Sequence, residues 1–217
     1  MFNNVKWIFF DVGSTIVDEH LAYEHRMKEI ADLSGETYKN VYRMAVDFYR
    51  QNKKGDLCVA KKFGIELPKW HAEDELLYEE AKDCLEFLSG KYKIGIIANQ
   101  APGTKERLEK YGILKYIDLV VASAEEGVSK PDRRIFEITL ERAGCKASEA
   151  VMIGDRIDND SAVVIIVVSV HRLLNVPCYL GNARNLKNGT SGIVGSVIRS
   201  NLSRYKSLHA SPFENFR

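Results

Sequence analysis

No run of the 217 residues stays apolar over the roughly 20 positions a helix needs to cross a bilayer, so no membrane span is expected. The apolar start, MFNNVKWIFFD, is too short for a secretion signal and ends in an acid, so no leader is expected either. Cysteine is sparse. Cys58, Cys84, Cys145 and Cys178 are scattered with no CxxC pair, which excludes a zinc ribbon or a disulfide frame. Such thiols suit a reducing, cytoplasmic setting. Neither sign of charge is in excess: 31 Lys and Arg face 30 Asp and Glu, a net of +1. No overall field therefore points to nucleic acid or a membrane surface as partner. No internal repeat or low-complexity tract occurs before residue 160. What is present is an ordinary globular composition, 45% hydrophobic and 28% charged, long enough for one core with a small insertion.

Val5 to Phe10 is a short run of β-branched and aromatic residues, as expected of a strand buried on both faces of a parallel sheet. It stops at a polar turn, Asp11-Val12-Gly13-Ser14-Thr15. Residues 19 to about 75 read as helical; Val41, Met44, Ala45 and Phe48 fall at i, i+3, i+4 and i+7. Gly35, Gly55 and Pro68 punctuate that block. Leu77 to Leu88 is expected to be a further helix, closed by Ser89-Gly90. Strands and helices then alternate. Lys93–Ala98, Ile117–Ala122 and Ala150–Ile153 read as strands; Thr104–Tyr111 and Asp132–Ala143 read as helices. The fold class this implies is α/β, a doubly wound parallel sheet with an inserted helical block. The expected boundaries are a core over 1–18 and 77–180, the insertion over 19–76, and an atypical tail over 181–217.

Ligands of open parallel sheets bind beyond the carboxyl ends of the strands. There this sequence places Asp11 after the first strand and Asn99-Gln100 after the second. Lys130 lies one short loop beyond the third; Asp155, Asp158 and Asp160 follow the fourth. Acids gathered at one mouth repel each other unless a cation sits between them, and an all-oxygen ligand set with water favours Mg²⁺. A lysine beside that ion balances a transferring phosphoryl group.

These segments resemble the haloacid dehalogenase superfamily. The resemblance rests on FFDVGST for the first motif, IGIIANQ for the second, GVSKPDRRIF for the third and MIGDRIDND for the fourth, in the family's order through about residue 160. The helical insertion matches the position and size of the family's small type I cap. The resemblance implies Asp11 as the nucleophile, forming an aspartyl-phosphate. It implies Mg²⁺ held by Asp11, the Gly13 carbonyl and Asp155, with support from Asp160 and help from Asp158. Lys130 would neutralise Asp11 and the phosphoryl oxygens. The Asn99 backbone and the turn amides at Val12, Gly13 and Ser14 would hold those oxygens. The cap is expected to act as a mobile lid over the substrate.

The chain departs from the family pattern twice. The phosphatases carry a second aspartate two residues after the nucleophile, which protonates the leaving group; here that position is Gly13. General acid help is worth about 10²–10⁴-fold, or about 3–5 kcal/mol of barrier. Ala98 stands where a hydroxyl is usual, at a cost of about 1 kcal/mol for one lost hydrogen bond. The expected function is a Mg²⁺-dependent phosphatase or phosphotransferase on a small phosphorylated metabolite. Two alternatives are a catalytically impaired binding protein of the same fold and a dehalogenase-like hydrolase. Dehalogenases do not use the metal, and the paired Asp155 and Asp160 argue for one.

Several residues have plainer expectations. His20, His25 and His71 show no metal-ligand spacing and are expected at the surface. Arg50, Lys53 and Lys54 suit a solvated helix end, and Tyr38, Tyr42 and Tyr49 suit packing. The final 57 residues stand apart: net charge is −5 through Asp160 and +6 after it. AVVIIVVSV has strand propensity, yet it follows Ile153 too closely for a parallel crossover, which needs a dozen or more residues. The expectation is a C-terminal quarter foreign to the fold, as a shifted reading frame would produce.

Overall fold

The computed structural model describes residues 4–51 and 53–155. The sequence expectations for Asp158, Asp160 and the tail lie outside them. The described chain divides into two compact units, one being Val17–Tyr78 and the other the residues up to Ile16 with those from Glu79 onward.

The second of these carries a four-stranded parallel sheet. Its strands are β1 (Trp7–Phe10), β4 (Lys93–Ala98), β5 (Leu119–Ala122) and β6 (Ala150–Ile153), in the spatial order β5-β4-β1-β6. This is the α/β architecture expected. β1 is central: Phe10 pairs in register with Ile96 on one side and Ile153 on the other. The sheet strands are short apolar runs because both faces are covered. Phe9, Ile97, Val121 and Met152 from the sheet pack with Ile135 and Phe136 of α7 (Arg133–Ala143) in one buried cluster. Gly95 lies opposite Phe9, and the Phe9 ring fills the space where a β-carbon at position 95 would stand. Asp132 caps α7 by accepting from the Arg134 N–H at 2.9 Å, and Gly144 ends the helix in the left-handed conformation (φ 62).

Two strand starts differ from the sequence reading. β1 starts at Trp7 rather than Val5, and β5 at Leu119 rather than Ile117. Ile117 closes a 3₁₀ turn over Leu114–Tyr116, and the Asp118 carboxylate accepts from Ile94 N–H and Lys93. A four-residue helix, α6 (Ser123–Glu126), follows β5, and α5 (Thr104–Lys110) follows β4.

The other unit contains α1 (His20–Ser34), α2 (Tyr38–Tyr49) and α3 (Gly55–Lys62). Met27, Ile30, Val41, Ala45 and Val59 form its core, with Met44 and Phe48 packed against it. The i, i+3, i+4, i+7 stripe of α2 is therefore its inner face. A buried ion pair, Arg26–Asp56 at 2.7 Å, ties α1 to α3, and the Arg26 guanidinium lies 4.7 Å from the Trp70 ring centre. Helix ends sooner than expected. After Lys62 the chain turns at Gly64 (φ 66) and runs irregularly past Pro68 to a 3₁₀ turn over Ala72–Asp74. Leu77 does not begin a helix. Leu76–Leu77 forms β3, antiparallel to β2 (Val17–Asp18), and α4 begins later, at Ala81–Ser89. Backbone pairing with a distant segment overrides the local helical preference there. No helix of the described residues is long and apolar enough to cross a membrane.

Candidate active site

All four sheet strands are parallel, so their carboxyl ends share one edge. The chain passes from β1 to β4 and β5 on one side, then returns to place β6 on the other side of β1. The crevice of such a switch point lies at the ends of β1 and β6. Asp11 directly follows β1, and Asp155 stands two residues beyond β6. The two ends are tied together by the Asp11 N–H, which donates to the Ile153 carbonyl at 2.8 Å.

Lys130 comes to this place from the loop before α7. Its Nζ lies 3.0 Å from Asp11 Oδ1, with the lysine side chain 1% exposed and the aspartate 15%. A lysine is rarely buried this deeply without a partner. Its backbone is held by Asn99 at the end of β4: the Lys130 N–H donates to Asn99 Oδ1 at 2.7 Å, and Asn99 Nδ2 donates to the Lys130 carbonyl at 2.8 Å. The Asn99 side chain is thus a two-point clamp on the lysine loop, a role the sequence reading did not foresee.

Asp11 Oδ1 takes a second donor, the Val12 N–H at 2.8 Å, while Oδ2 takes none among the described residues. Val12 is fully buried and the turn closes behind it, with Thr15 and Ile16 N–H groups donating to the Val12 carbonyl. Ser14 has φ 53, the one non-glycine positive φ among the described residues. Such a conformation in a loop beside paired charges is strain of the kind found at functional sites. Gly13 and Asp155 are both partly exposed at this edge. Geometry thus joins Asp11, Val12, Gly13, Ser14, Asn99, Lys130 and Asp155; Asp160 lies outside the described residues.

The family profile of haloacid dehalogenase-like hydrolases matches residues 5–163. The chain belongs to that family. The matched span of this hydrolase ends just behind Asp160, where its charge balance turns. It is 30% identical to a glyceraldehyde 3-phosphate phosphatase of Methanothermobacter thermautotrophicus, over 72% of this chain and 79% of that one. Among solved structures it resembles a HAD phosphatase from Thermococcus onnurineus at TM-score 0.55 and 22% identity, covering 86% of this chain and 90% of the other. It also resembles the HAD hydrolase YfnB of Bacillus subtilis, solved bound to magnesium, at TM-score 0.56 and 19% identity, covering 75% and 87%.

The surface expectation for the histidines fails at His71. It is 5% exposed, because carboxylates meet both ring nitrogens: Glu73 at Nδ1 (2.9 Å) and Glu29 at Nε2 (3.1 Å). The Glu73 hydrogen bond, aided by Glu29, raises the His71 pKa above its ordinary 6.5. The i, i+4 spacing of His25 and Glu29 was the available sequence signal; the partner 42 residues beyond Glu29 was not readable from it. Tyr38 and Tyr42 also differ from expectation. They are 36% and 42% exposed and lean on each other, whereas Tyr49 is packed against the core of its unit.

Proposed function

We propose that this hydrolase is a Mg²⁺-dependent phosphatase or phosphotransferase for small phosphorylated metabolites, working through an aspartyl-phosphate on Asp11. The observation that carries the reading is the buried Lys130 ammonium 3.0 Å from the Asp11 carboxylate at the switch point of the sheet. The named phosphatase relative supports phosphoryl chemistry. The donor set fits the metal: an Asp11 oxygen without a partner among the described residues and the Asp155 carboxylate at the next strand end are the hard oxygen ligands Mg²⁺ takes. Asp11, the Gly13 carbonyl, Asp155 and Asp160 would hold it, and when bound it would neutralise charge on the phosphoryl oxygens.

The chain's own residues do the rest. Lys130 draws charge from Asp11 Oδ1 and faces the oxygens of an incoming phosphoryl group. The amides of Val12, Gly13 and Ser14 and the Asn99 backbone cradle those oxygens. Asp11 attacks phosphorus, the leaving group departs with the bonding electrons, and water then cleaves the acyl phosphate, releasing inorganic phosphate. Gly13 supplies no proton to the leaving group. Substrates whose leaving groups are stable as anions, such as acyl phosphates and phosphoanhydrides, are therefore favoured. Gly13 and Ala98 also support a second reading, a binding protein of this fold without turnover. Scattered thiols and the absence of a membrane-spanning helix among the described residues fit a cytoplasmic setting.

The deciding experiment is phosphate release from a panel of acetyl phosphate, p-nitrophenyl phosphate and small sugar phosphates, with Mg²⁺ and with excess chelator. Release that needs Mg²⁺ and disappears in Asp11→Asn is expected. Turnover in chelator overturns the metal assignment, and no release from any substrate selects the binding protein.

A further inference from the structure

The helical unit holds a second constellation that the phosphatase reading does not use. His25 and Glu29 stand one turn apart on the same face of α1. His71 approaches them from the segment before the 3₁₀ turn. One donor atom from each of the three lies within 4.8 Å of the other two. Behind them stand two more carboxylates: Asp74 Oδ2 is 2.7 Å from His25 Nδ1, and Glu73 Oε1 is 2.9 Å from His71 Nδ1.

We propose that His25, Glu29 and His71 form a binding site for a divalent transition metal of the zinc class. Each outer carboxylate accepts the Nδ1 proton of its histidine. That leaves Nε2 of each ring as the nitrogen to meet a metal, the arrangement that supports histidine ligands in zinc proteins. His71 Nε2 and Glu29 Oε2 face each other at 3.1 Å, and a metal ion would take the place of the proton shared between them. The separation is already close to the bite of a tetrahedral zinc ion, whose bonds of about 2.0–2.2 Å set donors roughly 3.2–3.6 Å apart. Three carboxylates around two imidazoles also make a negative cluster that a divalent ion balances.

One adjustment is needed. The two imidazole rings stack at 3.6 Å and 12°, so their lone pairs lie in nearly parallel planes. They must tilt apart to converge on one ion. The His25 side chain, 45% exposed, has room to do so, while His71 is fixed in the interior. Three protein ligands leave the fourth position to water, and the ion would staple α1 to the segment that leads into β3.

The test titrates Zn²⁺ into the full chain, stripped with chelator and exchanged into chelator-free buffer with excess Mg²⁺, and follows Co²⁺ absorption as a probe of tetrahedral nitrogen and oxygen ligation. The expected result is one tight equivalent, retained in Asp11→Asn. Asp74→Asn should weaken it by about 10–100-fold, as loss of an outer-shell partner does. His25→Ala should weaken it further while keeping the wild-type circular dichroism; its exposed position makes it the safer variant beside His71→Ala. Zinc bound equally by wild type and His25→Ala, zinc lost in Asp11→Asn, or no zinc bound by the wild type would each overturn the proposal. None of these readouts depends on turnover.

Discussion

Replacing Asn99 with alanine separates a positioning role from a merely structural one. The substitution removes both hydrogen bonds that hold the Lys130 peptide, at 2.7 and 2.8 Å. A net contribution of about 0.5–1.5 kcal/mol per bond gives a stability loss of about 1–3 kcal/mol. At about 2–4 °C per kcal/mol for a chain of this size, Tm should fall by about 2–12 °C. The loop would then no longer hold the ammonium at 3.0 Å from Asp11. A misplacement of about 1 Å costs about 100-fold in rate. The assay is kcat/KM for acetyl phosphate well below the melting transition, where the variant is fully folded. A drop of about 10- to 100-fold is expected, with Asn99→Asp intermediate because it keeps the acceptor for the Lys130 N–H and loses the donor. A lowered Tm with unchanged kcat/KM would refute the reasoning and leave Asn99 as a structural tie.

Gly13→Asp should raise kcat/KM for alkyl phosphates more than for acyl phosphates, because an alkoxide gains most from a proton donor. The left-handed φ in this loop falls on Ser14, so the aspartate meets no conformational bar there; equal gains for both substrates would remove leaving-group protonation as the missing function. Gly95→Ala should cost about 1–3 kcal/mol in chemical denaturation, since the new methyl competes with the Phe9 ring; a neutral change would mean that the ring swings aside freely. The Glu149 carboxyl is held below its ordinary 4.5 by the Lys146 backbone N–H and by Lys6. Its contribution to stability is therefore present above pH 4.5 and fades as pH falls through the depressed value. Glu149→Gln should flatten the acid limb of a denaturation-midpoint profile, and an unchanged limb would count against the pairing.

The sheet was legible because its strands announce themselves twice, by apolar runs and by the polar residues at their ends. Asp11, Lys130 and Asp155 could be assigned to one edge from the sequence alone, since a parallel sheet brings every strand's carboxyl end to the same side. Asp132 was readable as a cap for a similar reason: the N-cap bond is local. The relations that escaped are long-range. Nothing near Asn99 signals that its amide clamps a peptide 31 positions on, and nothing near His71 signals burial, which depends on Glu29, 42 positions earlier. Leu76–Leu77 misled because two apolar residues before a helical stretch look like its first turn; only their pairing with Val17–Asp18 decides otherwise.

That short ribbon of β2 and β3 has a consequence for how such proteins diversify. The chain leaves for the helical unit and comes back along two hydrogen-bonded strands lying side by side, Val17 against Leu77 and Asp18 against Leu76. Everything between them is, thermodynamically, one closed loop. The entropy of closing a loop grows only with the logarithm of its length, by about 0.6 kcal/mol for each doubling. An excursion anchored in this way can be lengthened, shortened or exchanged for another at little cost to the sheet that carries Asp11 and Lys130. The helical unit can thus vary in length and sequence while the pairing of Val17 with Leu77 keeps its two ends together.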